Sequence, residues 1–303
     1  MKTELLQQCN ICGSVSMDVV DANCNIVKCH NCGLVFDNPR PAFEELVKFY
    51  SHPTKYDSWL CELGPRERVW NRRLRILERY KKPGSLLDVG TGIGQFLSVA
   101  SSSFSAVFGT EISSTALEIA KTKYNQNLFQ GTVEDLARQS GKFDNITLFH
   151  VLEHVPNPRN TVEVCGSLLS EGGTLAIAVP NEISSLRAYV RKVAIKMGIT
   201  RADGFGELGL PLITLDASAP EIHLSHFTPG VLQRLLQKTG FTVVKNTLDP
   251  FRLKTGFGRL KSEIYYYSCL VILRLFKLNL YDTIFVLARK GDRHPRMSGD
   301  DAK

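Results

Sequence analysis

The chain has no long apolar run. Its opening residues, MKTELLQQCN, hold no hydrophobic stretch of signal-peptide type, so no secretory leader is expected. The longest uncharged apolar stretch near the C-terminus, residues 264–273, is too short for a helix that spans a bilayer. Gly-Lys-Ser and Gly-Lys-Thr are both missing, which excludes a P-loop for a nucleoside triphosphate. A dinucleotide turn needs Gly-x-Gly-x-x-Gly, and Gln95 stands where its third glycine belongs. Charge of one sign is not extreme either. The net charge is +7, spread along the chain, which allows anionic partners without singling out nucleic acid.

What is present is enough for a large core. The 303 residues are 43% hydrophobic and 22% charged, consistent with one large α/β domain or two smaller ones. Eight cysteines occur, and five fall between Cys9 and Cys32. Cys9-Asn-Ile-Cys12-Gly13 and Cys29-His-Asn-Cys32-Gly33 are two copies of one knuckle. Two residues between cysteines let both thiolates face one ion from a tight turn, and the glycine permits the left-handed residue that closes it. Four thiolates favour a structural zinc, which supplies folding energy that so short a segment lacks. Without a leader, metal is a better reading than disulfides. The ligands are expected to be Cys9, Cys12, Cys29 and Cys32, with residues 1–38 forming a zinc ribbon and Cys24 and His30 spare. A redox dithiol is the alternative.

The pattern around Ser85–Leu97, SLLDVGTGIGQFL, organises the rest. A short apolar run ends in Gly90, Gly92 and Gly94 and leads into a helical pattern. This predicts a buried strand, a tight turn and a helix whose free N–H groups face a ligand. Asp88 just before the turn would repel a pyrophosphate but suits an ammonium group. Asp-Val-Gly-Thr-Gly-Ile-Gly resembles the first motif of class I S-adenosylmethionine-dependent methyltransferases. Further segments match that family in order: a second strand ending at Glu111, His150-Val-Leu-Glu-His154-Val-Pro-Asn-Pro158 after the fourth strand, and a Gly-Gly turn into an apolar strand ending Pro180-Asn181. The resemblance covers about two-thirds of the chain. Zinc ribbon plus core is similar to sugar C-methyltransferases and, less closely, to quinone O-methyltransferases.

That resemblance implies a Rossmann-like, seven-stranded, doubly wound α/β sheet over residues 85–290, with its last strand inserted antiparallel. It implies an S-adenosylmethionine site built from Asp88, Gly90, Thr91, Gly92, Gly94, Glu111 and Ile112. Glu111 would hold the ribose hydroxyls. Thr132 stands where the family often has Asp, so the adenine contact is expected from Val133 and Glu134 or Asp135. His150 would lie beside the cofactor, and His154 would pin the turn. His223, in Glu221-Ile-His223-Leu-Ser-His226, is the first choice for a general base, with the pKa range such a role needs. His150 and His154, four apart with Glu153 between, suggest a metal helix only weakly, because Pro156 and Pro158 follow and no other ligand is near in sequence.

Residues 39–84 are read as a helical cap or linker. Its arginines (Arg66, Arg68, Arg72, Arg73, Arg75 and Arg79) read as a solvated face, with contact to a phosphate-bearing substrate as the alternative. Residues 184–222 form an insert or lid whose apolar stripe Leu186, Val190, Val193, Ala194 and Met197 is surrounded by cations. This is either a lid packed on the core or a helix on a membrane surface or anionic substrate. Residues 253–278 are an apolar, tyrosine-rich helix that could cover the sheet, dimerise or touch lipid. Residues 291–303 are a polar, disordered tail. The location expected is cytoplasmic, with peripheral membrane contact through 184–201 or 253–278. The expected reaction is methyl transfer to a small-molecule or glycan acceptor, such as a nucleotide sugar. An RNA methyltransferase and a non-catalytic S-adenosylmethionine-binding module are the alternatives, nucleic acid being the less favoured partner since Asn-Pro-Pro-Tyr is absent. The sequence leaves the oligomeric state open.

Overall fold

In the computed structural model the described residues are 2–126, 128–199, 205–213, 215 and 221–291. Residues 200–204, 214 and 216–220 of the expected insert, and the expected tail from residue 292, lie outside them. The chain opens with five short strands: β1 (Thr3–Glu4), β2 (Met17–Asp21), β3 (Ile26–Cys29), β4 (Val35–Asp37) and β5 (Arg40–Pro41). Helices α1 (Phe43–Tyr50), α2 (Asp57–Cys61) and α3 (Leu63–Leu77) follow. The core then alternates through β6 (Leu86–Val89), α4 (Gln95–Ala100), β7 (Val107–Glu111), α5 (Ser114–Tyr124), β8 (Phe129–Gln130), α6 (Val133–Leu136), β9 (Phe143–Phe149), α7 (Pro158–Leu168) and β10 (Leu169–Pro180). After α8 (Leu186–Lys196) come β11 (Ser225–His226), α9 (Pro229–Lys238), β12 (Phe241–Thr247), α10 (Gly256–Phe276) and β13 (Thr283–Lys290).

The main sheet has the order β12-β13-β10-β9-β6-β7-β8. Strands β10 to β8 run parallel, while β13 pairs antiparallel with both β10 and β12. Strand β6 is buried along its whole length, as the apolar run before the glycines requires of a central parallel strand. The chain winds from β6 to β7 and β8 on one side and then returns to β9 on the other. That reversal opens a crevice at the carboxyl ends of β6 and β9. Local signals set the helix starts: Thr228 accepts the Val231 N–H with Pro229 in the first turn of α9, and Asn157 caps α7 ahead of Pro158.

The ribbon is not a free-standing module. Its sheet has the order β11-β4-β3-β2, so its outer strand is borrowed from residues 225–226. Ile11, Leu34 and Phe36 share one hydrophobic cluster with Phe227, Val231 and Leu235 of the core domain. A second correction concerns the arginines. Arg73 is only 1% exposed, and its Nε and Nη2 donate to both oxygens of Asp249 at 2.7 and 2.6 Å. Arg66 is buried against the Trp59 ring, 4.1 Å from its centroid. Helix α3 packs Leu74 and Leu77 into the same cluster as Leu86 and Phe96, which carries these arginines inward with it. Asp249, far along the chain, supplies the counter-charge; removing one member of such a buried pair costs about 3–5 kcal/mol.

The two apolar helices also differ from a simple packed lid. Ala188 is the only residue of α8 that is buried, while Leu186, Val190, Val193 and Met197 face outward. Helix α10 buries Tyr266, Cys269 and Leu273 and exposes Phe257, Leu260, Ile264, Val271, Leu275 and Phe276. Among the described residues no helix is long and apolar enough to cross a membrane.

Candidate functional site

A cavity of about 440 Å³ occupies the crevice, within the range of small-molecule sites. Its floor is the glycine turn. Gly90 and Gly92 adopt φ of +63° and +57°, which L side chains rarely adopt. A Cβ on Gly90 would strike Val151, and one on Gly92 would press on the Trp59 ring. The turn is therefore closed to side chains on both sides, and its backbone is left facing the cavity. Helices α1 and α2 roof it with Phe43, Leu46, Tyr50, Tyr56 and Trp59.

Glu111 ends β7 in the cavity wall. Its Oε2 accepts the Gly92 N–H at 2.8 Å and its Oε1 the Ser113 N–H at 2.9 Å. Burial raises its pKa while those backbone donors pull it back, so the carboxyl is anchored with lone pairs left for a ligand. Ile112, Thr132, Val133 and Glu134 complete this end of the wall. Thr132 and Asp135 form a reciprocal capping box at the start of α6, which occupies the Asp135 side chain locally. Of the two acids offered for an adenine contact, Glu134 is the one in the wall, though its Oε1 accepts from Thr161.

Not every expected residue lies in that wall. Asp88, Thr91 and Gly94 stand behind it. Asp88 Oδ1 accepts the Thr147 hydroxyl at 2.5 Å, and burial pushes its pKa up to about 6. His150 does line the cavity, at φ +58°, an uncommon conformation for a non-glycine residue. Its Nε2 lies 2.9 Å from Asp249 Oδ2. Burial opposes a charge on the ring, but the hydrogen bond to Asp249 and the nearby Glu153 carboxylate outweigh it and push His150 up to about 9. It is therefore a cation near neutrality, which is not the state of a general base.

The opposite end of the cavity is polar. His154 and Glu221 line it. His154 Nδ1 meets the Ile222 carbonyl and the Tyr50 hydroxyl, and burial lowers its pKa. His223 stands one layer back. Its Nδ1 lies 2.9 Å from Glu182 Oε1, and its Nε2 faces Glu221 Oε2 at 3.5 Å. Burial again opposes the charge, but Glu182 beside it more than compensates, so His223 titrates well above the usual histidine range. Glu182 also holds His226, whose other nitrogen reaches Asp37 of the ribbon at 3.0 Å. Glu182, Glu221 and Asp249 escaped notice in the sequence. Only Glu182 carries a local signal, an acid just past the Pro180-Asn181 end of a strand.

In the ribbon, the sulfurs of Cys9, Cys12, Cys29 and Cys32 converge, all within 4.8 Å of one another. Cys9 Sγ lies 3.5 Å from Cys32 Sγ, and Cys12 Sγ the same distance from Cys29 Sγ. These separations suit four thiolates around one small ion.

A parallel sheet with an antiparallel penultimate strand, a glycine turn at the reversal point and an acid ending the next strand define a nucleoside-binding Rossmann-like domain. The family described as "Methyltransferase domain" matches residues 63–246, more than half of the chain, and the chain belongs to that family. Curated relatives include a ubiquinone biosynthesis O-methyltransferase of Coxiella burnetii, 28% identical over 154 residues, which are 48% of this chain and 65% of that protein. One from Glaesserella parasuis is 36% identical over 116 residues, 35% of this chain and 48% of that protein. The chain thus spans less than two-thirds of the length of these relatives. Among solved structures, magnesium protoporphyrin IX methyltransferase from Synechocystis PCC 6803, with bound SAM, aligns with a TM-score of 0.50 and 14% identity, over 84% of this chain and all of that one. A chain from a complex between the Haloferax volcanii Trm112 methyltransferase activator and a methyltransferase aligns with a TM-score of 0.51 and 16% identity, over 80% and 98%. These likenesses are of fold.

Proposed function

We propose that this chain transfers a methyl group from S-adenosylmethionine to a small-molecule acceptor. The observation that carries the reading is the cavity at the sheet's reversal point, floored by Gly90 and Gly92 and walled by Glu111, in a chain of this family. The cofactor supplies an electrophilic methyl on a sulfonium. The chain's own part is to bind, align and deprotonate. The glycine turn admits the nucleoside because no side chain can stand there, Glu111 receives the ribose hydroxyls, and Thr132 to Glu134 flank the base. Tyr50, Tyr56 and Trp59 cover the site and exclude water. The acceptor's proton leaves toward the polar end that His154 and Glu221 line, since Asp249 holds His150 and Glu182 holds His223 above the usual histidine range.

For the acceptor we propose a hydroxylated small molecule, with a nucleotide sugar or glycan as the specific form. The curated relatives named for O-methylation support a hydroxyl acceptor. The arginines give less support to a phosphate-bearing one, because Arg73 and Arg72 are committed to Asp249 and Glu263. In the ribbon we propose a structural zinc on Cys9, Cys12, Cys29 and Cys32. We also propose contact of α8 and α10 with an anionic membrane surface, which their exposed apolar faces and flanking Arg187, Arg191, Lys192 and Lys196 support.

Calorimetry tests the cofactor assignment. S-Adenosylmethionine should bind the wild-type chain, and Glu111→Ala should weaken binding at least about tenfold through loss of the ribose acceptor. Unaltered affinity would sink the assignment. Turnover on a panel of nucleotide sugars and dihydroxylated aromatics then separates the acceptor classes.

A further inference from the structure

We infer that the polar end of the cavity is a second metal site, in which Glu153, His154 and His223 bind one divalent transition-metal ion beside Glu221. It is separate from the four-cysteine ribbon, and it deepens the reading above by placing a Lewis acid where the acceptor's oxygen would sit.

The argument starts from unmet groups. Glu153 is 1% exposed, and among the described residues no donor reaches either of its oxygens in hydrogen-bond geometry. The His150 cation faces Oε1 through Nδ1 at 3.3 Å and does not reach Oε2. Leaving a buried carboxylate oxygen so placed is costly unless a further positive group meets it. His223 Nε2 is likewise buried and without a hydrogen-bond partner. One ligand atom from each of Glu153, His154 and His223 lies within 4.8 Å of the others. Glu221 Oε2 stands outside that group, 3.9 Å from His154 Nε2 and 3.5 Å from His223 Nε2. A modest inward shift of the three grouped atoms would bring each to about 2.0–2.2 Å from one ion.

The outer partners point the same way. A carbonyl can only accept, so His154 Nδ1 donates to Ile222 O, which leaves a lone pair on Nε2. Glu182 takes the Nδ1 proton of His223, so its Nε2 holds either a second proton or an ion. The His154 lone pair faces oxygens of Glu153 and Glu221, an arrangement that repels unless something positive stands between. A second proton on His223 would face Glu221 and leave Glu153 Oε2 unmet. An ion satisfies all three groups, and imidazoles oriented by an outer carboxylate or carbonyl are what metal sites use. Two nitrogens and a carboxylate oxygen suit zinc, manganese, iron or cobalt better than calcium or magnesium. Glu221 and His154 border the cavity, so an open coordination position would face the acceptor and lower the pKa of a bound hydroxyl.

The test is a Co²⁺ titration of the full chain with its ribbon metal in place and no S-adenosylmethionine added. The expected result is one further equivalent of Co²⁺ with weak visible bands and no thiolate charge-transfer absorption, which separates it from the cysteine site. Glu153→Gln combined with His223→Asn should abolish that equivalent. Glu182→Gln, which disturbs only the outer partner, should weaken it 10–100-fold. Far-UV circular dichroism and calorimetry with S-adenosylmethionine show whether each variant remains folded. Absence of the extra equivalent in the wild-type chain, or its persistence in the folded double variant, would overturn the inference. Either result leaves the cofactor reading standing, since Glu111→Ala tests that separately.

Discussion

Asp88 is where ligand recognition and stability pull against each other. Its carboxyl is buried behind the glycine turn with Thr147 as partner, and burial holds its pKa at about 6. An unfolded Asp titrates near about 3.9. Between those values the native state binds more protons than the unfolded one, so this group's contribution to stability falls as pH rises from about 4 to about 6. Above that window the buried charge costs on the order of 3 kcal/mol. Asp88→Asn keeps an oxygen for the Thr147 hydroxyl and removes the charge. It should raise the ligand-free melting temperature at pH 7 and flatten the pH 4–6 slope, while weakening S-adenosylmethionine binding through the lost negative potential. A variant that melts like wild type with the same slope would refute the account. Asp88 was legible in the sequence as the acid before the turn. Its place behind the wall was not, because alternation along a strand does not say which neighbour covers a side chain that the sheet buries on both faces.

At the scale of elements, local chemistry predicted more than long-range charge did. The β6 turn, the Phe143–Phe149 strand and the Thr228 cap all formed as their residues specify. The arginine-rich helix did not, since the burial of Arg73 depends on Asp249, which lies beyond β12. His150 and His154, with Glu153 between them, likewise suggested a metal only weakly, because His223 reaches Glu153 and His154 only through the fold. Helices α8 and α10 bear the clearest consequence at this scale. Their outward faces carry Val190, Val193, Leu275 and Phe276, and cations stand among them. Flotation with phosphatidylglycerol vesicles should retain the wild-type chain and lose it at high salt. Val190→Glu with Val193→Glu and Leu275→Glu should reduce retention several-fold without changing S-adenosylmethionine affinity. Equal retention on neutral phosphatidylcholine vesicles would contradict an electrostatic contribution.

The whole molecule behaves as one body because the ribbon and the sheet share strands and core. Strand β11 pairs with β4, His226 bridges Asp37 to Glu182, and Glu182 in turn orients His223. The ribbon is thereby tied to the polar end of the cavity. Cys9→Ser with Cys32→Ser should lower the melting temperature of a single cooperative transition, by roughly 5–10 °C for a loss of a few kcal/mol. Calorimetry that resolves an early, separate ribbon transition would show the coupling to be absent.

The sequence by itself determined the pieces whose physics is short-ranged. Paired cysteines two residues apart, glycines that must turn with positive φ, apolar runs long enough for a strand and caps at helix starts depend on neighbours within a few residues. Those features specified the knuckles and the nucleoside turn, while the architecture of the sheet was legible only through the resemblance to the methyltransferases. Only the tertiary structure decided which charges meet. Arg73 with Asp249, His223 with Glu182, and His154 with Glu221 join residues from separate strand ends and loops, and a buried charge must find its partner in space wherever the chain supplies one.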